Sequence, residues 1–306
     1  MQASDWHKHS HESDKNYNNI ILHVVWQNDE QRALPNIPSL SIENRISKLL
    51  LDRYEQLMHS PLSVPCKKIL PQAKEIIWIS WRQRLLVERL QRKPETVEQY
   101  LQQKNHHWEE TFWGMLAKNF GTKANTEAFE AMAKSIPVNM LAKHKNQVHQ
   151  LEALLLGQCG LLENHFAESC PKMLQKEYQF LKNKYSLRPI NMPVHFLRMR
   201  PSNFPSVRLA QLAMLVKQSS HLFSQMKEIQ TVAEVKKLLP VTANDYWNNH
   251  YVFDEASSFK KKTLGEQMAE NIIINTIVPI LFAYGHLHKE TAHEDKAMKW
   301  PEALSS

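Results

Sequence analysis

Residues 4–14 read Ser-Asp-Trp-His-Lys-His-Ser-His-Glu-Ser-Asp, the densest run of metal-ligand side chains in the chain. On a helix, His7, His11 and Asp14 stand at i, i+4 and i+7 and share one face. Two imidazoles and a carboxylate in that arrangement suit one divalent metal, which would be the cofactor of a metal-dependent hydrolase. On an extended chain His7, His9 and His11 share a face instead, and His23 can approach either arrangement. The competing reading is a polar helix covering a sheet, packed through Trp6 and Tyr17.

A second group is cationic. Arg198, Arg200 and Arg208 flank Pro201 and Pro205, and a helix starting at Pro205 offers free amides and a positive dipole end. Arginine forks beside such a helix start bind phosphate, so these three are the candidate nucleic-acid or phosphate contacts. The alternative is structural, with the arginines tying a proline-rich turn to neighbouring helices. The block Tyr246-Trp247-Asn248-Asn249-His250-Tyr251-Val252-Phe253 is read as core and interhelical contacts rather than a base-stacking surface. No nucleophilic triad follows from spacing, and Cys159 between Gly157 and Gly160 reads as a packed small residue.

Positioning these groups calls mostly for helices. The chain has 306 residues, 42% hydrophobic and 23% charged, with a net charge of +7. Six glycines leave little room for Gly-rich phosphate loops, and three cysteines are too few for a disulfide framework. The polar N-terminus carries no secretory signal, and cytoplasmic localisation with no membrane is the expectation. The most apolar run, 272–284, contains Asn275, Thr276 and Pro279 and reads as a core helix too short to span a bilayer.

The β-branched run over 20–26 is the one strong strand signal. A lone strand leaves edges and faces uncovered, so partner strands are expected, either missing from the N-terminus or supplied by another chain. A linker holds Pro35 and Pro38. Helical spacing follows, through Ile42, Ile46, Leu49, Leu50 and Leu57, then Ile76, Ile77, Ile79, Leu86 and Leu90. Gly121 is expected to cap a helix over 108–119, and Asn125 to start the next. Thr231-x-x-Glu234 and Thr263-x-x-Glu266 have capping-box spacing. The expected fold is mainly α. Residues 1–30 form a helix–strand unit, 42–290 an all-helical domain and 291–306 a C-terminal tail.

Together the strings resemble an uncharacterised bacterial family of unknown function. They are Ser-Asp-Trp-His-x-His-x-His-x-x-Asp-x-x-Tyr-x-Asn over 4–19 with Ile-Leu-His-Val-Val over 21–25, Leu-Glu-Ala-Leu-Leu over 151–155 with Gly157-Gln158, and Arg200-Pro201-x-Asn203-Phe204-Pro205 with Arg208-Leu209-Ala210-Gln211. Tyr246-Trp247, His250-Tyr251, Phe253-Asp254 and Ile274-Asn275-Thr276 through Gly285 extend the match over nearly the whole chain. The resemblance implies longer relatives, in which acidic strands precede the Ser-Asp-Trp block, in an arrangement similar to a restriction-endonuclease-like α/β core. There, paired carboxylates hold a metal that activates water against a phosphodiester. On that analogy residues 1–3 end the acidic strand, 7–18 are the core helix and 20–26 the next strand. Met1 is then an internal methionine. The expectation is the C-terminal portion of a nuclease-like phosphodiesterase, catalytically silent as it stands. The rival is a non-enzymatic helical module that binds protein or nucleic acid.

Overall fold

The computed structural model describes residues 2–14, 17, 20–30, 37–61, 74–196, 199–219 and 221–304. It is mainly α and divides into two compact units, 1–79 and 80–306. The division thus falls well beyond the boundary near residue 30 that hydropathy suggests.

In the first unit, helix α1 (Asp5–Lys8) is a single turn, not the helix expected over 7–18. Ser10 takes a left-handed φ of 55°, which an L-residue adopts at the end of a helix rather than inside one, and a 3-10 turn follows over His11–Ser13. Strand β1 (His23–Val25) is shorter than the expected 20–26. It does find an intrachain partner: β2 (Ser39–Ser41) pairs with it in parallel, His23 opposite Ser39 and Val25 opposite Ser41. Proline density hid that partner in what reads as a linker. Gln2 makes a further parallel bridge to Gln27, closed by the Ala3 amide donating to the Gln27 carbonyl. Parallel strands cannot be joined by a tight hairpin, so the chain crosses over between β1 and β2. Helix α2 (Lys48–Met58) carries no buried residue, and Leu49, Leu50, Tyr54 and Met58 are exposed. The helical spacing holds for Leu49, Leu50 and Leu57, while Ile42 caps a 3-10 turn and Ile46 is extended.

The unit boundary lies within helix α3 (Glu75–Gln103). Ile76, Ile77 and Ile79, read at helical spacing, do lie on this helix and are exposed, and the side chains of Leu86 and Leu90 lie outside the described residues. Val97, Tyr100 and Leu101 are buried in the second unit.

The second unit continues with α4 (Trp108–Phe120), α5 (Thr122–Ser135), α6 (Val138–His144), α7 (Val148–Gln158) and α8 (Ser169–Tyr185). Then come α9 (Pro205–Gln218), α10 (Leu222–Glu228), α11 (Val232–Leu238), the hairpin β3 (His250–Val252) and β4 (Glu255–Ala256), α12 (Glu266–Ile272), α13 (Val278–His288) and α14 (Thr291–Leu304). The antiparallel hairpin interrupts the expected all-helical stretch. The expected tail over 291–306 instead contains α14, which packs on α13 and buries Ala297 and Trp300.

Local chemistry explains the boundaries. Gly121 caps α4, and Asn125 does mark a break, but as a kink inside α5. The Asn125 side chain accepts from the His195 amide at 2.7 Å and donates to the His195 carbonyl at 2.9 Å. Thr231 and Glu234 form the expected capping box. Thr263 does not, because its hydroxyl is hydrogen-bonded to Thr242 at 2.8 Å and α12 begins after Gly265.

Helix α7 is apolar around its circumference and buried from Leu151 to Gln158, as a central helix must be. It packs on α8 and α9. Gly157 allows the close approach to α8, since a Cβ there would fall 2.2 Å from the Tyr178 ring. The run 266–288 is continuous through a π-turn at Ile273–Ile277. At 23 residues it is long and apolar enough to cross a membrane, contrary to the shorter run read from sequence, yet 67% of its most apolar stretch is buried inside the protein.

Candidate functional site

His9 and His11 lie with ring centroids 5.7 Å apart, while His7 turns to carboxylates. His7 points its ring nitrogens at Glu12 (3.4 Å) and Glu30 (3.5 Å), and it helps the backbone amide hold the Glu12 carboxyl below its usual range. His11 lies against Tyr17, with ring centroids 4.3 Å apart, and edges onto buried Trp6. His23 also meets the Trp6 ring. Asp14 follows the 3-10 turn in extended backbone. Breaking the helix at Ser10 removes the shared face on which the metal reading depends. Among the described residues, no three His, Cys, Asp or Glu side chains come together to hold a metal.

Of the three arginines, Arg200 and Arg208 are differently placed. Arg198 lies outside the described residues, and Arg200 is exposed at the start of the 3-10 turn Pro201–Asn203. Arg208 is only 7% exposed. From the first turns of α9 its side chain reaches back toward the helix start, as helical side chains do. It donates to Asn203 Oδ1 at 2.5 Å and Gln211 Oε1 at 3.0 Å, while Nε has no partner. Burial lowers its pKa to about 10. With its guanidinium enclosed, Arg208 acts inside the fold. Gln211 passes the chain of bonds on to the Lys262 carbonyl at 3.1 Å. Buried Lys262 donates to the carbonyls of Lys260 (3.0 Å) and Asn248 (3.3 Å), and its ammonium sits 3.8 Å from the Tyr251 ring centre. The arginine turn and the lysine loop therefore brace the 244–262 segment.

That segment carries the aromatic block. Trp247 is fully buried, and its indole N–H donates to Glu152 Oε1 at 3.1 Å. The Asn244 amide donates to the other Glu152 oxygen and receives the Tyr246 N–H on its own oxygen at 3.0 Å. Burial pushes the Glu152 carboxyl up to about 8, with these two donors pulling against it. His250 stacks on Tyr246 at 4.1 Å. Its ring nitrogens meet the Tyr246 carbonyl (2.9 Å) and Glu168 Oε1 (3.0 Å). The Tyr246 hydroxyl donates to Glu168 Oε2 at 2.6 Å, and Asp254 accepts the Ala167 and Glu168 amides at the start of α8. The block is core, as its spacing predicts, but it is polar core: Tyr246, Trp247 and His250 are each tied to a buried or half-buried carboxylate.

One side of this network opens into a cleft of about 570 Å³. His149 of α7, Cys170 of α8, Met214 and Lys217 of α9, residues 242–246, Asn248 and Lys261 line it. Neither Lys217 nor Lys261 makes an ion pair among the described residues. The Asn248 Oδ1 atom is buried without a partner. Burial, with Glu152 and Glu168 nearby, pushes the Cys170 thiol up to about 11, so it is no nucleophile near neutral pH. Sequence reasoning missed His149, Lys217, Asn244, Asp245 and Lys261, and read Asn248 only as part of the aromatic block. The one signal pointing here was the amide-rich insertion within the aromatic block.

The fold and this cleft define a mainly helical protein with a polar, cation-bearing groove built on a buried carboxylate network. The chain belongs to the protein family of unknown function DUF2851, which it matches over residues 1–306. No curated protein and no solved structure matches it.

Proposed function

We propose that the helical unit is a nucleic-acid-binding module and that the phosphodiester backbone of a single strand lies in the cleft between α7, α9 and the 242–248 segment. The observation that carries this reading is the pair of lysines, Lys217 and Lys261, that line the cleft without a carboxylate partner among the described residues. Unpaired ammonium groups in a concave site are the electrostatic footprint of a polyanion. His149 adds a third nitrogen, and the Tyr246 ring lines the same groove, where a base can stack. The phosphate contacts thus move from Arg208, which is enclosed, to these lysines; Arg200 stays exposed at the neighbouring turn. The test is fluorescence anisotropy with a labelled single-stranded oligonucleotide over a salt series. Binding should weaken with salt, and Lys217→Ala with Lys261→Ala should reduce the salt slope by about 1.4, at about 0.7 for each single-strand phosphate contact. No binding at low salt, or a slope unchanged by the double substitution, sinks the reading.

The parallel β1–β2 pairing and the Gln2–Gln27 bridge before α1 favour a second, fuller reading. Here the first unit belongs to a nuclease-like α/β core whose phosphodiester substrate the helical unit guides. This reading expects no hydrolysis by the present chain alone. Divalent-metal-dependent cleavage of an oligonucleotide that is lost in His7→Ala and His11→Ala would replace it with a hydrolase built on His7, His11 and Asp14.

A further inference from the structure

We infer that a second cleft of the helical unit, lined by α3, α4, α5 and the run through the π-turn, binds a small organic monocarboxylate with an apolar body. The inference stands apart from the nucleic-acid reading, because the two clefts share no lining residue. This one has a volume of about 330 Å³, the scale of a small-molecule site. Tyr100 and Met115, nearly buried in the core, give it apolar lining.

Two departures from regular helix shape the cleft. The π-turn at Ile273–Ile277 widens the helix locally, and such turns recur at functional sites. Asn271 and Thr276 both line the cleft, and one amide ties them to α4. Asn119 Nδ2 donates to the Asn271 carbonyl at 3.3 Å and to Thr276 Oγ1 at 3.0 Å. At the α4–α5 junction Thr122 takes a left-handed φ of 53°, which a β-branched residue rarely adopts. Strain of this kind concentrates at ligand sites, and Thr122 and the next residue, Lys123, both line the cleft.

The charges select the ligand. Lys118 is already committed, to Glu130 at 2.8 Å and to the Tyr100 hydroxyl at 3.0 Å. Lys123 is exposed and makes no ion pair among the described residues. The Asn271 Nδ2 group likewise donates to nothing among the described residues. Both are donors, as an anion needs, and one uncommitted ammonium balances one negative charge. The apolar lining calls for an organic body on that anion rather than a bare inorganic ion.

Titration with phenylacetate and hexanoate, each against its neutral amide, tests this by ligand-observed NMR. Each carboxylate should bind about tenfold tighter than its amide, the worth of one charge-assisted hydrogen bond. Lys123→Met should erase that preference and Lys123→Arg should keep it; the site is exposed, so both variants fold. Thr96→Phe, at an exposed position of α3 that lines the cleft, keeps every charge but places a ring in the cleft, and it should abolish binding. Inorganic phosphate should not displace either carboxylate. Equal affinity for acids and amides, a preference unchanged in Lys123→Met, binding unchanged in Thr96→Phe, displacement by phosphate, or no binding of either acid each overturns the proposal.

Discussion

Glu152→Gln replaces a carboxyl that has no exposed surface by an amide of the same shape. In the folded chain burial pushes this carboxyl up to about 8 from its ordinary 4.5, even though Trp247 and Asn244 donate to it. The folded protein therefore holds the Glu152 proton more tightly than the unfolded chain does. That contribution to stability is complete below pH 4.5 and is lost as pH rises through about 8. Over the intervening range stability falls by about 1.4 kcal/mol per pH unit, a total on the order of 5 kcal/mol. The substituted amide has no proton to lose. Its carbonyl keeps the Trp247 N–H, but its NH₂ meets the NH₂ of Asn244, costing about 1–2 kcal/mol through one mispaired amide. The variant should thus be the less stable protein near pH 4, where the parent keeps nearly all of this contribution, and the more stable one near pH 9. Urea unfolding followed by tryptophan fluorescence reads this directly, because Trp247 reports from the site. Other titrating groups contribute alike to both proteins, so the difference isolates Glu152. Parallel pH profiles for the two proteins would refute the argument that burial governs this carboxyl.

Two further outcomes follow from the packing. Burial raises the Glu130 pKa, but Lys118 at 2.8 Å and Lys134 at 2.7 Å outweigh it and bring the carboxyl to about 2. Its stabilisation is therefore present above pH 4.5 and lost on acidification toward about 2, and Glu130→Gln should remove about 1 kcal/mol at neutral pH while flattening the acid limb of the stability profile. Gly157→Ala drives a methyl into the Tyr178 ring and breaks the Tyr178 bond to Gln158 Oε1 at 2.7 Å. It should lower stability by about 2–3 kcal/mol, and a thermal midpoint equal to that of the parent protein would contradict the close α7–α8 approach.

Local sequence was sufficient wherever a backbone decision depends on near neighbours. Pro205 opens α9, Thr231 and Glu234 cap α11, Gly121 ends α4, and apolar spacing makes the chain mainly α. These features follow from hydrogen bonds and dihedral limits within a few residues. A common face for His7, His11 and Asp14 needs a continuous helix, and a single left-handed residue at Ser10 rotates later side chains off that face. Local reasoning also missed β2, since a short polar segment becomes a strand only when a parallel neighbour pairs with it.

Tertiary structure alone decided the burial of Arg208, the charge state of Glu152 and the existence of the cleft. Glu152 looks like one polar residue in an apolar helix, and Arg208 like a free cation beside a proline turn. Glu152 acquires its role from partners distant in sequence, Asn244 and Trp247, which lie 92 and 95 positions away. Arg208 acquires its role through Gln211, which ties it to the Lys262 carbonyl 51 positions beyond that glutamine. The electrostatics of a buried group depend on which surfaces exclude water around it, and that follows from packing rather than from neighbouring letters.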